Sequence, residues 1–143
     1  MYVKQISVFI ENTPGRLADF TRVLAENGID LMSLSIADTT HFGILRAIVA
    51  DYSTAANILT ANGYTVKLTD VLAVSVPDKP GGLAGILALL AEKNVALEYL
   101  YSFVRPNGDQ ALIIIRVDKP EDAVAVLNAA GVKLISQDEV RAL

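Results

Sequence analysis

The 143-residue chain contains itself twice. Pro80-Gly81 repeats Pro14-Gly15, and the match extends in both directions. In the first copy Ile6-Ser7-Val8-Phe9-Ile10 leads into Asn12-Thr13-Pro14-Gly15-Arg16-Leu17-Ala18 and on to Leu24-Ala25-Glu26. In the second, Leu72-Ala73-Val74-Ser75-Val76 leads into Asp78-Lys79-Pro80-Gly81-Gly82-Leu83-Ala84 and on to Leu90-Ala91-Glu92. Late in the unit Gly131 matches Gly63 at a slightly wider spacing than Gly81 matches Gly15, so the second copy carries a two-residue insertion. Its expected place is the turn Arg105-Pro106-Asn107-Gly108-Asp109, where proline and glycine already mark a loop. A repeat on this scale restricts the chain to two copies of one supersecondary unit. The first is expected over residues 1–69 and the second over 70–143.

Hydrophobic periods alternate within a unit. Residues 3–10 have period two, with Ile6, Val8 and Ile10 on one face and Gln5 and Ser7 on the other. Pro14 suits the first turn of a helix, with Asn12 or Thr13 as its cap, and Leu17, Phe20, Val23 and Leu24 form a helical stripe that stops at Asn27-Gly28. Strands are expected at 30–38 and 42–50, joined by a turn at Thr39-Thr40-His41. A second helix follows, capped by Ser53 or Thr54 and burying Ala55, Ile58 and Leu59, and then a short strand at 64–68. The second copy predicts a strand at 71–76, a helix from Gly81 burying Leu83, Ile86, Leu87 and Leu90, and strands at 96–104 and 110–117. A helix opening at Pro120 with Glu121 and Asp122 in its first turn completes it. This strand-helix-strand-strand-helix-strand order predicts an α+β chain of two ferredoxin-like βαββαβ units. Each has an antiparallel sheet with both helices on one face.

Composition excludes several functions. Apolar residues make up 52% and charged residues 20% of the chain, too much apolar side chain for intrinsic disorder. The net charge of −4 argues against a nucleic-acid or anionic-membrane partner, either of which needs a basic stripe. No cysteine is available for a thiolate nucleophile or zinc cluster, and a single histidine cannot build a histidine-rich metal site, so no metal and no cofactor are expected. The longest apolar uncharged stretch, residues 80–91, falls far short of the ~20 residues that span a bilayer. Met1-Tyr2-Val3-Lys4-Gln5 does not open a secretory signal, and a cytoplasmic location is the expectation.

The sheet face turned from the helices would be bare in a monomer. It carries Ser33, Ser35 and Ala37 in the first copy but Tyr99, Tyr101 and Phe103 in the second. Such rings pack on another sheet or line a ligand site, and with the high apolar content they point to a two-fold homodimer. Arg46 interrupts the apolar run of its strand, either solvated, paired with an acid or gripping a carboxylate, while Arg116 is expected to be solvated near its strand's end.

The most informative segment is Glu11 to Leu17. A glycine at a strand-to-helix turn lets backbone approach a ligand, and the N–H groups that follow favour an anion such as a carboxylate. The same glycine equally serves simply to start a helix. A strand, then Asn-x-Pro-Gly-x-Leu, then a helix ending in Gly-Ile-Asp resembles the ACT domain, and two such units resemble stand-alone tandem ACT proteins. The resemblance implies a non-catalytic regulatory protein that binds a small amino acid at an interface between ACT units and modulates a partner enzyme. Carried over residue by residue, it implies ligand contacts from Asn12, Thr13, Pro14, Gly15, Arg16 and Leu17. Asp30 would meet the ammonium group. Asp78 and Ala96 replace Asn12 and Asp30 in the second copy, which implies that its strand 96–104 serves as a wall.

The alternative is a ligand-free ACT pair acting as a dimerisation or docking module. An enzyme has little support, since no nucleophile elbow, P-loop or dinucleotide fingerprint appears and His41 falls in a turn, so no catalytic residue is assigned. Acylphosphatases and RNA-recognition modules share the topology. The first would need its phosphate loop and the second a basic aromatic sheet, and neither is present. An acetolactate synthase regulatory subunit, with one ACT unit and a different C-terminal domain, matches the tandem pattern poorly.

Overall fold

The computed structural model describes residues 2–38, 41–104 and 108–143. Its strands are β1 (Val3–Glu11), β2 (Leu31–Asp38), β3 (Phe42–Val49), β4 (Val66–Pro77), β5 (Leu97–Ser102), β6 (Gln110–Val117) and β7 (Leu134–Ile135). Its helices are α1 (Arg16–Glu26), α2 (Tyr52–Ala61), α3 (Gly82–Glu92), α4 (Pro120–Ala129) and α5 (Gln137–Arg141). Two compact units result. One holds residues 4–70 with 141–143, the other residues 71–140 with the N-terminal residues up to Val3.

In the first unit the strands run β2-β3-β1-β4, with β1 paired antiparallel to β3 in the register Ile6↔Ala47 and Val8↔Leu45. Ile6, Val8, Ile10, Leu45, Ala47 and Val49 share one face, and Phe20, Val23 and Leu24 of α1 with Ala55 and Leu59 of α2 bury it. In the second unit the order is β7-β4-β6-β5, and Leu72↔Ile115 and Val74↔Ile113 repeat the register of the first copy pair for pair. Its helices bury Leu72, Val74, Val76, Ile113 and Ile115 under Ile86, Leu90, Ala123 and Leu127. Period-two strands, each with one apolar face, thus dictate a helix-covered sheet in both copies.

Several local expectations are corrected. The strands expected at 64–68 and 71–76 are one strand, β4, whose residues up to Asp70 belong to the first unit and from Val71 to the second. Both α1 and α3 begin after a left-handed glycine, Gly15 at φ 85° and Gly81 at φ 87°, and no side chain caps either helix. Pro14 therefore precedes α1 rather than opening it, and neither Asn12 nor Thr13 is its cap. The cap of α2 is Asp51, whose carboxylate accepts from the Thr54 N–H and hydroxyl at 3.1 and 2.6 Å, in place of Ser53 or Thr54. Leu17, placed in the α1 stripe, is exposed. Tyr99 and Tyr101 stack at 6.4 Å, but Tyr101 and Phe103 are buried within the single chain, so this aromatic row is not a bare face. Thr39, Thr40 and residues 105–107 of the expected turns lie outside the described residues.

Candidate functional site

Two strand-to-helix turns, one per copy, occupy equivalent places, and their surroundings differ. In the first, Asn12, Thr13, Pro14 and Gly15 are all exposed between β1 and α1. The Asn12 N–H donates to the His41 carbonyl at 3.3 Å, tying the turn to the start of β3. The Arg16 N–H donates to the Thr13 carbonyl at 3.3 Å, so of the Gly15, Arg16 and Leu17 N–H groups that the resemblance turns toward a carboxylate, one is already used. Those of Leu17 and Ala18 follow in the uncapped first turn of α1.

Asp30 is not brought to this turn within its own unit. It follows the C-terminus of α1, and the 11 residues of that helix separate the two by about 16 Å along the axis. Its carbonyl accepts from the Ala50 N–H at 3.2 Å, joining the entry of β2 to the end of β3. Asn12 to Leu17 thus form one cluster and Asp30 another.

The Arg16 side chain folds onto the protein. Its guanidinium lies 4.2 Å from the centroid of the Tyr64 ring and 3.8 Å from the Asp19 carboxylate. The Tyr64 hydroxyl donates to Asp19 at 2.6 Å, and the ring meets Phe20 edge-on at 5.6 Å. Burial, with Asp19 as acceptor, pushes the Tyr64 phenol up to about 12. The Tyr64 hydroxyl bond, helped by Arg22 at 2.6 Å, holds the Asp19 carboxyl below its ordinary range. The space between the start of α1 and the α2–β4 connection is therefore filled by this unit's own side chains.

At the same place in the second unit lies a cavity of about 510 Å³. Gly82, Gly85 and Val132 line it where the first copy has Arg16, Asp19 and Tyr64. Ser75 and Gln110 line it where the first copy has Phe9 and Phe42, and the Ser75 hydroxyl and Gln110 Oε1 lie 3.2 Å apart. Lys79 and Lys133 stand on its wall in place of Thr13 and Thr65. The turn is closely packed. A Cβ on Gly82 would lie 2.0 Å from the Pro77 carbonyl oxygen, so only glycine fits. Asp78, the acid in the place of Asn12, is absent from the lining, and its N–H donates to the Asp109 carbonyl at 2.9 Å. Reading each copy separately missed Ser75, Gly85, Gln110, Val132 and Lys133. Aligning the copies position by position marks them, because each differs in size or charge from its counterpart.

Other expected features are placed as follows. Arg46 pairs in register with Ser7 and Ser35 on the face away from the helices. Arg116 is half-exposed and meets Glu98 at 3.4 Å rather than being simply solvated. Among the described residues no group of three or more His, Cys, Asp or Glu could hold a metal ion, and no helix is long and apolar enough to cross a membrane.

Comparison with known proteins accords with this architecture. The family described as an ACT domain pair matches the chain over residues 1–143. The crystal structure of protein BT0572 from Bacteroides thetaiotaomicron is 39% identical, with a TM-score of 0.93 over 100% of this chain and 98% of that one. The ligand-free regulatory subunit of aspartate kinase from Thermus thermophilus is 21% identical, with a TM-score of 0.62 over 89% and 91%. Its counterpart from Thermus flavus is 19% identical, with a TM-score of 0.59 over 89% and 91%. The Thermus likenesses show the shared fold. No protein of curated function matches the chain.

Proposed function

Because this chain belongs to the ACT domain pair family, we propose that it is a regulatory protein that binds a small amino acid and passes the effect to a partner enzyme. The exposed turn from Asn12 to Leu17 carries this reading. It offers an amide side chain, a left-handed glycine and an uncapped helix start that together suit a carboxylate. Asp30 supplies the ammonium partner from a second copy of the chain, since its own unit holds it a helix length away. A homodimer is the assembly this arrangement requires. Binding then shifts a conformational or docking equilibrium by its differential affinity for the two states.

A thermal-shift screen against the twenty amino acids tests the reading, because a ligand of the native state raises the melting temperature by mass action. A shift confined to one chemical group of amino acids, and lost in Asn12→Ala, Asp30→Ala, is expected. An unchanged shift in the double variant would refute the site. A second reading, a ligand-free docking module, is favoured by Phe9 and Phe42, which are 67% and 54% exposed on neighbouring strands of the first unit. Absence of any shift at millimolar amino acid would favour it.

A further inference from the structure

The second unit's cavity is not part of the site just proposed, and its construction has a direction. Both copies fold in one register, so each lining position has a counterpart whose side chain is known. Where the first copy places Arg16, Asp19 and Tyr64, the second places two glycines and a valine, and the two larger replacements, Lys79 for Thr13 and Lys133 for Thr65, leave the space open. Its volume of about 510 Å³ lies in the range of small-molecule sites, roughly 300–1,000 Å³.

The chemistry of the lining selects the occupant. Its donors are the Lys79 and Lys133 ammonium groups and the Gln110 amide, since the Gly82 and Gly85 N–H groups are already spent on the Lys79 and Gly81 carbonyls at 3.0 Å. Ile86 and Val132 supply an apolar wall. Among the described residues no carboxylate side chain lines it. Two acids stand close by without joining it. Glu139 holds Lys133 at 2.9 Å, and Asp109 accepts from the Gln110 amide at 3.4 Å. Lys79 is thus the principal counter-charge for a ligand, and an α-ammonium group would find cations rather than an acid.

We propose that this cavity is a second ligand site, for a small organic acid that carries a carboxylate and no α-ammonium group. The carboxylate lies toward Lys79 and the start of α3, and the body of the ligand lies against Ile86 and Val132. The proposal is independent of amino-acid binding at the first turn, and its test keeps the two apart.

Isothermal titration of the intact protein with a panel of 2-oxo acids, the matching L-amino acids and inorganic phosphate tests it. In the Asn12→Ala, Asp30→Ala variant, which lacks the first-turn site, a 2-oxo acid is expected to bind more tightly than its L-amino counterpart. Lys79→Gln should weaken it about tenfold, the loss of one charge-assisted hydrogen bond. Val132→Tyr, which restores the first copy's plug, should abolish binding, and Asn12→Ala should leave it unchanged. Should the tyrosine disturb folding, Gly85→Asp is the second plug, since a Cβ there meets nothing within 4 Å. The proposal is overturned if no 2-oxo acid binds at millimolar concentration, if the amino acid or phosphate binds the Asn12→Ala, Asp30→Ala variant as tightly, or if a folded plug variant binds like the parent.

Discussion

Two glycines in the first turn of α3, Gly82 and Gly85, make opposite demands. A Cβ on Gly82 would meet the Pro77 carbonyl oxygen at 2.0 Å, whereas one on Gly85 meets nothing within 4 Å. Gly82→Ala is therefore expected to destabilise by about 1–3 kcal/mol through overpacking against backbone. Gly85→Ala should stabilise by about 0.5–1 kcal/mol, because it removes glycine's excess chain entropy from a helix. Chemical denaturation of the two variants checks both signs, and equal effects would contradict the geometry. At this scale the sequence was partly legible. The Pro-Gly turns could be read because their constraint is local. The plug could not, because Arg16 and Tyr64 stand at opposite ends of the first copy and meet only after folding.

Periodicity carried most of the elements, because one apolar face per strand or helix suffices to define them. The exceptions have physical causes. Nothing in 64–76 breaks the chain, so β4 continues where two strands were expected. The short α5 has too few residues for a hydrophobic period and depends instead on a reciprocal cap. The Ser136 N–H donates to the Glu139 carboxylate at 2.8 Å, and the Glu139 N–H donates to the Ser136 hydroxyl at 3.2 Å. The backbone bond from Ser136, with Lys133 beside it, draws the Glu139 carboxyl down to about 2, against an ordinary 4.5. A depressed folded-state value means that the contribution to stability is present above pH 4.5 and lost as pH falls toward 2. Glu139→Gln keeps the cap but cannot titrate. Its melting temperature should consequently fall less than the parent's across that window, and parallel acid limbs would count against the cap.

At the scale of the molecule, the duplication was legible and the exact ends of the units were not, since one strand serves both. The N-terminal residues up to Val3 belong with the second unit, where Tyr2 packs on the core, and residues 141–143 belong with the first, where the Arg141 guanidinium lies 5.9 Å from the centroid of the Tyr52 ring. Cutting the chain between 69 and 70 therefore takes a piece from each unit, including Asp70, which pairs with Lys4 at 2.6 Å. Fragments 1–69 and 70–143, expressed apart, are expected to melt at lower temperature and over a broader range than the intact chain. A fragment that melts as sharply and as high as the parent would contradict this.

The unequal filling of the two equivalent spaces has a consequence for how such a protein changes. In a symmetric homodimer of single units, one substitution enters both sites at once, and neither can lose its plug while the other keeps it. Joining the copies in one chain lifts that coupling, because position 64 and position 132 are separate codons. Each half can then be tuned to its own ligand, or to none, without cost to the other.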